Sequence, residues 1–253
     1  MTEEISTSIK DFNKKSELVI VMPAYNEAEH IKENLLKASS IVSDFHHDFK
    51  IIAVNDGSKD ATDEEIRKAA KEDSHIEFVS YPSNKGKGGA IKEGVKYAQG
   101  DYIAFLDSDL ELPPIMLKDF LDALKSSGSH IAIGSKLHKD SNLHYPLIRR
   151  IMSFGYYIML KLMFKLNIKD TQTGIKLFKA EVIKPICENL ATTGFAFDIE
   201  ILATASKKGY KIIEMPITLE FCRERREKSR MTFKTIVKVF KDTLRIRKHI
   251  KNI

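Results

Sequence analysis

Asp107 and Asp109 carry the clearest capacity for chemistry in this chain, because an apolar run, Tyr102-Ile-Ala-Phe-Leu106, passes directly into Asp107-Ser-Asp-Leu-Glu111. The run reads as a buried strand, so both carboxylates leave its carboxyl end, the edge where open α/β sheets take ligands. On an extended chain, residues two apart point the same way, so Asp107, Asp109 and Glu111 are expected to face one site. Three hard oxygen donors at that spacing suit Mg2+ or Mn2+ that also holds the oxygens of a diphosphate. The plainer alternative is a strand end followed by a solvated acidic turn.

The elements that must position these groups precede them in order. Leu18-Val-Ile-Val-Met22 is a short apolar run that reads as a first buried strand, ended by Pro23-Ala-Tyr-Asn-Glu27, after which a helix with Ile31, Leu35 and Leu36 on its inner face begins at Glu27. Lys50-Ile-Ile-Ala-Val54 is a second strand running into Asn55-Asp-Gly-Ser58, and a helix follows through Ile66 to Ala70. Ile76-Glu-Phe-Val79 is a third strand, leading to the Gly-rich basic loop Asn84-Lys-Gly-Lys-Gly-Gly-Ala-Ile-Lys-Glu-Gly94. That loop lacks the Gly-x-x-x-x-Gly-Lys-Ser/Thr spacing of a phosphate P-loop. Four strands alternating with helical patterns predict a doubly wound, mostly parallel α/β sheet, and right-handed crossovers bring all four loops to one edge.

The totals set the frame. A chain of 253 residues with 43% hydrophobic and 30% charged residues is an ordinary globular composition with a sizeable core. Cys187 and Cys222 give neither a disulfide framework nor metal-ligand spacing. The first seventeen residues are polar and of mixed charge, so no signal peptide is expected, and no apolar run approaches the roughly 18 residues of a membrane span. The net charge of +6 is uneven: residues 221–253 hold twelve Lys and Arg against Glu224, Glu227 and Asp242, which leaves residues 1–220 at −3.

Pro23-Ala-Tyr-Asn-Glu27, Asn55-Asp-Gly-Ser58, Asn84-Lys-Gly-Lys-Gly88 and Asp107-Ser-Asp109, in this order and each at the end of a predicted strand, resemble family 2 inverting glycosyltransferases of the GT-A fold. By that resemblance Pro23, Tyr25, Glu27, Val54 and Asp56 frame the base and ribose of a nucleotide sugar, with Lys87 in the basic loop among its contacts. Asp107 and Ser108 lie near the ribose and diphosphate, and Asp107, Asp109 and Glu111 hold the metal. Two departures stand out. Asn55 occupies a position that many members fill with Asp, which leaves Asp56 to make any base contact, and Glu111 stands where Gln is frequent.

Asp170-Thr-Gln-Thr-Gly-Ile-Lys-Leu-Phe178 and Gly194-Phe-Ala-Phe-Asp-Ile-Glu200 narrow the resemblance to polyprenyl-phosphate glycosyltransferases, most like the dolichyl-phosphate glucosyltransferases and next like the mannose synthases. The likeness spans about Leu18 to Arg247. It implies a UDP-glucose or GDP-mannose donor and a polyprenyl or dolichyl phosphate acceptor, which is already anionic at neutral pH and needs no strong general base. Catalysis then rests on placement and on stabilising the departing diphosphate, with Lys136, Arg149, Arg150, Arg223 and Arg230 as the cations that grip phosphate. Asp170 either orients the acceptor or a sugar hydroxyl, or caps a loop. Asp198 and Glu200 either contact sugar or cap a helix.

Three segments complete the reading: a flexible lead-in at 1–16, a GT-A catalytic domain at 17–220 with a further strand over Ile131–Lys136, and a basic loop with an amphipathic helix at 221–253. The stretch from Leu147 to Lys165, apolar with cationic ends, is either a core helix or one lying in a membrane interface. Phe233, Ile236, Val237, Phe240 and Leu244 recur at helical spacing among Lys and Arg, which suits an anionic membrane surface or docking on the chain's own core. Peripheral association with the cytoplasmic face of a membrane is the expectation, and no motif supports nucleic-acid binding. A sugar nucleotidyltransferase, which lacks its usual Gly-rich signature here, and a silent nucleotide-sugar-binding protein are the competing functions.

Overall fold

The computed structural model describes residues 5–8, 15–141, 160–161, 163–164, 166–194, 196–218 and 243–250. One sheet of eight strands organises them: β1 (Ser6–Thr7), β2 (Ser16–Ala24), β3 (Phe49–Asp56), β4 (Ile76–Tyr81), β5 (Gly100–Phe105), β6 (Ile131–Ser135), β7 (Lys176–Lys179) and β8 (Ile212–Pro216). The order across the sheet is β1-β4-β3-β2-β5-β7-β6-β8. β2, β3, β4 and β5 run parallel, as expected from their spacing. β7 is inserted antiparallel between β5 and β6, and β8 pairs parallel with β6. Ser6 and Thr7, inside the lead-in, pair antiparallel with β4 and cover that edge.

Alternation along the strands divides the core into two layers. Leu18, Ile20 and Met22 face α1 (Ile31–Ser43), α2 (Thr62–Glu72) and α4 (Met116–Ser127), whereas Val19 and Val21 face α3 (Lys87–Tyr97), α5 (Ala180–Glu188) and α6 (Phe197–Lys207). With both faces covered, the strands are continuous apolar runs, which is why length and flanking residues mark them better than a period of two. α1 starts at Ile31 rather than Glu27, because residues 28–30 form turns. Pro23 does not end the first strand: it pairs in register with Val54, at a point where β2 has already lost β5, whose pairing stops at Val21. A strand flank without a ladder partner is the place where a missing N–H is tolerated.

Residues 243–250, here α7, are helical. Ile246 and Ile250 sink into the α3/α5/α6 layer and the Lys207 ammonium donates to the Ile250 carbonyl (2.5 Å), while Leu244 of the expected apolar stripe is exposed. The rest of that stripe, and the Leu147–Lys165 stretch except for 160–161 and 163–164, lies outside the described residues. Leu160 itself is buried in the core. Among the described residues no helix is long and apolar enough to cross a membrane.

Candidate active site

The chain leaves β5 at Phe105 and bends at once. Leu110 takes a left-handed backbone (φ 51°), its N–H donates to the Asp107 carbonyl (3.3 Å), and the Glu111 N–H donates to Asp109 Oδ1 (3.2 Å). A bulky residue with positive φ is uncommon, and such strain gathers at functional sites. The turn departs from the extended segment expected from the spacing: Asp107 and Asp109 are partly buried, but Glu111 is exposed. Among the described residues no three acidic, His or Cys side chains form a metal cluster. The Asp109 carboxyl is pushed up to about 6, first by burial and then by the charge of Asp107.

Cations stand behind this pair. The Lys87 ammonium, in the first turn of α3, lies 2.5 Å from Asp107 Oδ1. Burial opposes its charge, yet Asp107 and then Asp198 hold its pKa above the ordinary lysine value. Asp198, in the first turn of α6, is buried and pairs with Lys176 at 2.7 Å, and the 2%-exposed Lys176 also donates to the Thr173 carbonyl. Lys176 sits beside Phe105 in the β5–β7 ladder, so two ion pairs, Lys87–Asp107 and Lys176–Asp198, lie near the end of β5. Gly174 closes one side: a Cβ there would run into the Asp107 carboxylate.

A second cluster lies at the ends of β3 and β4. Asp56 is 3% exposed, and its carboxylate accepts from the Tyr81 hydroxyl (2.7 Å), Asn84 Nδ2 (2.9 Å) and the Lys85 N–H (2.8 Å). Burial raises its pKa against the pull of these donors. Asp56 thereby shapes the start of the Gly-rich loop, and Gly86 (φ 81°) carries that loop past the Thr193 carbonyl, where a side chain would collide. Asn55 explains its own departure from the family pattern. Its amide donates to Ser80 Oγ (2.9 Å) and Asp63 Oδ1 (3.3 Å) and its oxygen accepts from the Ser58 N–H, so an aspartate there would oppose Asp63.

The other expected residues divide. Tyr25 is exposed just beyond the end of β2, and Ser108 is buried with its carbonyl accepting from Asn34 Nδ2 (2.8 Å). Pro23 sits at the end of β2, and the Glu27 N–H donates to Thr62 Oγ1. The Val54 side chain is fully buried against α3, where Gly94 leaves room for it, and so faces the core. Asp170 accepts from the Lys136 N–H (3.0 Å) and the Gln172 N–H (3.2 Å), which is loop-capping geometry. Arg149, Arg150, Arg223 and Arg230 lie outside the described residues. Tyr81, Asn84 and Lys176 carried no separate signal in the sequence, because their partners are 25 to 28 residues away or on another element.

The family model "Glycosyl transferase family 2" matches residues 19–187. The chain is 34% identical over 210 residues to a dolichyl-phosphate beta-glucosyltransferase of Trichomonas vaginalis, a match covering 79% of this chain and 64% of that protein. It is 30% identical over 239 residues to the dolichyl-phosphate beta-glucosyltransferase of Saccharomyces cerevisiae, covering 85% and 72%. The chain therefore spans just under two thirds of the Trichomonas protein's length. Among solved structures it resembles glucosyl-3-phosphoglycerate synthase of Mycobacterium tuberculosis in complex with Mn2+, UDP-glucose and phosphoglyceric acid, with a TM-score of 0.67 at 17% identity over 94% of this chain and 80% of that one. A mannosyltransferase of Pyrobaculum calidifontis in complex with GDP-mannose and Mn2+ gives 0.62 at 19% over 93% and 66%. These structural likenesses are those of the GT-A fold, and the family model begins in the first long parallel strand and reaches the last turn of α5, taking in Asp56, Lys87, Asp107, Asp109 and Lys176: the chain belongs to glycosyl transferase family 2.

Proposed function

We propose that the chain transfers glucose from UDP-glucose to a polyprenyl or dolichyl phosphate, with inversion at the anomeric carbon. The observation that carries this reading is the Asp107/Asp109 pair backed by Lys87 at the carboxyl edge of the parallel sheet, in a chain 34% identical to a dolichyl-phosphate glucosyltransferase. An acceptor phosphate oxygen attacks the anomeric carbon as the bond to the β-phosphate breaks, and the nucleoside diphosphate leaves with the electron pair. No side chain has to remove a proton, so the protein's work is alignment and charge.

The two carboxylates fit a hard divalent cation, Mg2+ or Mn2+, of the kind held by one or two carboxylates plus substrate phosphates. The Asp109 carboxyl is raised first by its burial and then by the charge of Asp107, and a cation between the two would relieve both. When bound, such an ion neutralises charge building on the leaving diphosphate. Asp107 and Asp109 would hold it, and exposed Glu111 stands off from it in the turn as folded. Lys87 serves the diphosphate from the opposite side, and Tyr25 and Ser108 border the nucleotide. The apolar–basic pattern of the tail's sequence supports a site at a membrane surface, which we take to be the cytoplasmic face, where the lipid phosphate is presented.

The test is a transfer assay with a short polyprenyl phosphate, Mn2+ or Mg2+, and UDP-glucose beside GDP-mannose. Glucosyl lipid phosphate from UDP-glucose is the expected product. Mannosyl transfer from GDP-mannose alone would overturn the donor assignment, and nucleotide binding without transfer to any lipid phosphate would overturn the reaction.

A further inference from the structure

Lys87 occupies an unusual place for a phosphate-gripping lysine. Its ammonium is not free for a ligand but lies 2.5 Å from Asp107 Oδ1, on a carboxylate the proposed reaction needs for a cation. Its side chain is only 26% exposed, and the charge of Asp198, in the first turn of α6 packed against the first turn of α3, favours its ammonium form. Among the described residues Asp198 pairs directly with Lys176, fixed in turn by the Thr173 carbonyl. The first turns of α3 and α6 are locked together around this charge. A Cβ on Gly88 would strike the Phe197 ring, and the Gly89 N–H donates to the Thr193 carbonyl (3.2 Å). Desolvating an ion pair costs as much as its attraction returns, so a buried Lys176–Asp198 pair is poorly explained by stability alone.

We propose that Lys87 is a resident counter-ion that neutralises Asp107 until a divalent cation takes that carboxylate, and that Asp198 is the positioning residue that then holds the released ammonium beside the diphosphate. A charge is thus exchanged rather than created when metal enters. Asp107 passes from an ammonium to a divalent ion, and Lys87 turns from one carboxylate toward another. The entering diphosphate meets the ammonium already desolvated and aimed, which spares the reorganisation that a solvent-exposed lysine would require. This inference rests on the metal-dependent reading above, and it adds a competition between two cations of opposite origin, one from the chain and one from solution.

The competition is measurable without turnover. Mn2+ alone is titrated into the full chain, with free Mn2+ followed by electron paramagnetic resonance. Lys87→Gln removes the competitor and is expected to tighten Mn2+ about tenfold, while Asp198→Asn leaves Lys87 with Asp107 alone and is expected to weaken it about tenfold. Combined in K87Q/D198N, the Asp198 effect disappears, because Asp198 acts only through Lys87. Should D198N fail to fold with Lys176 left unpaired, the K176M/D198N pair replaces the buried charges together and enters the same cycle. Additive effects in the double variant, or unchanged Mn2+ affinity in K87Q, would overturn the exchange while leaving a metal enzyme. Absence of Mn2+ binding by the unmodified chain, with or without UDP, would instead overturn the metal reading and the exchange with it.

Discussion

Asp56 and Asp107 both end parallel strands at the same edge of one sheet, yet they are treated in opposite ways. Around Asp56 the chain supplies neutral donors, namely a phenol, an amide and a backbone N–H, until the carboxylate is saturated. Around Asp107 it supplies charges: Lys87 in contact, Asp109 beside it, and Asp198 with Lys176 behind. A saturated acid is a fixture, since any rearrangement leaves a buried donor without a partner. An acid balanced by a movable ammonium is responsive, because one cation can replace another at modest cost. In the proposed reaction the first cluster would build the wall of the nucleotide site, and the second would be where ligands change the state of the protein.

If that contrast holds, substitutions should separate cleanly. Asp109→Ala should lower kcat by about a thousandfold, the scale of losing a principal charge stabiliser, while the melting temperature stays near that of the parent chain. Turnover like that of the parent would end the metal assignment. Gly174→Ala presses a methyl into the Asp107 carboxylate, so a loss of about a hundredfold in kcat is expected with the KM for UDP-glucose little changed. An unchanged rate would show that Asp107 tolerates displacement.

The saturated cluster should fail in stability instead. Asp56→Ala strands the donors of Tyr81, Asn84 and Lys85, and urea unfolding should show a loss of about 2 kcal/mol, with catalysis reduced mainly through KM. A large fall in kcat at unchanged stability would place Asp56 with the responsive group. The smallest effect is expected for Asn55→Asp. Burial raises the Asp63 carboxyl, but donors from Arg67, Ser80 and Asn55 bring it below the usual value, so it contributes stability that is present above about pH 4 and lost as pH falls through its folded value. Exchanging the Asn55 amide for a second carboxylate reverses that contribution. The variant should be about 1 kcal/mol less stable at neutral pH, with the gap closing as both acids protonate.

The parallel half of the sheet was legible because each strand is a short, mainly aliphatic and aromatic stretch ending in polar turn residues, and right-handed crossovers leave one arrangement for the loops. The acid pair was legible for the same reason. The sequence did not reveal how the chain turns after Asp107, because Leu110 gives no hint that it adopts a left-handed backbone. Nor did it reveal that Lys176 and Asp198 meet: they lie 22 residues apart on different elements, and Asp198 alone reads only as a sugar contact or a helix cap. Pro23 misled because a proline predicts the end of a strand only where both neighbours remain paired. Asp170, left open between a ligand contact and a cap, has backbone partners that only the fold brings near.

The antiparallel insertion of β7 has a consequence for how the molecule comes into being. Phe105 pairs with Lys176, 71 positions later in the chain, whereas β2, β3, β4 and β5 are complete by Phe105. A nascent chain can therefore assemble the parallel half, with the Asp56 cluster in place, while the far side of β5 still waits for its neighbour. Lys176 arrives with β7 and Asp198 with α6, so the charges around Asp107 come together last. The part of the protein that would do chemistry is also the part that certifies that folding has finished, and a chain halted before residue 176 would have the walls of a nucleotide site without its charged floor.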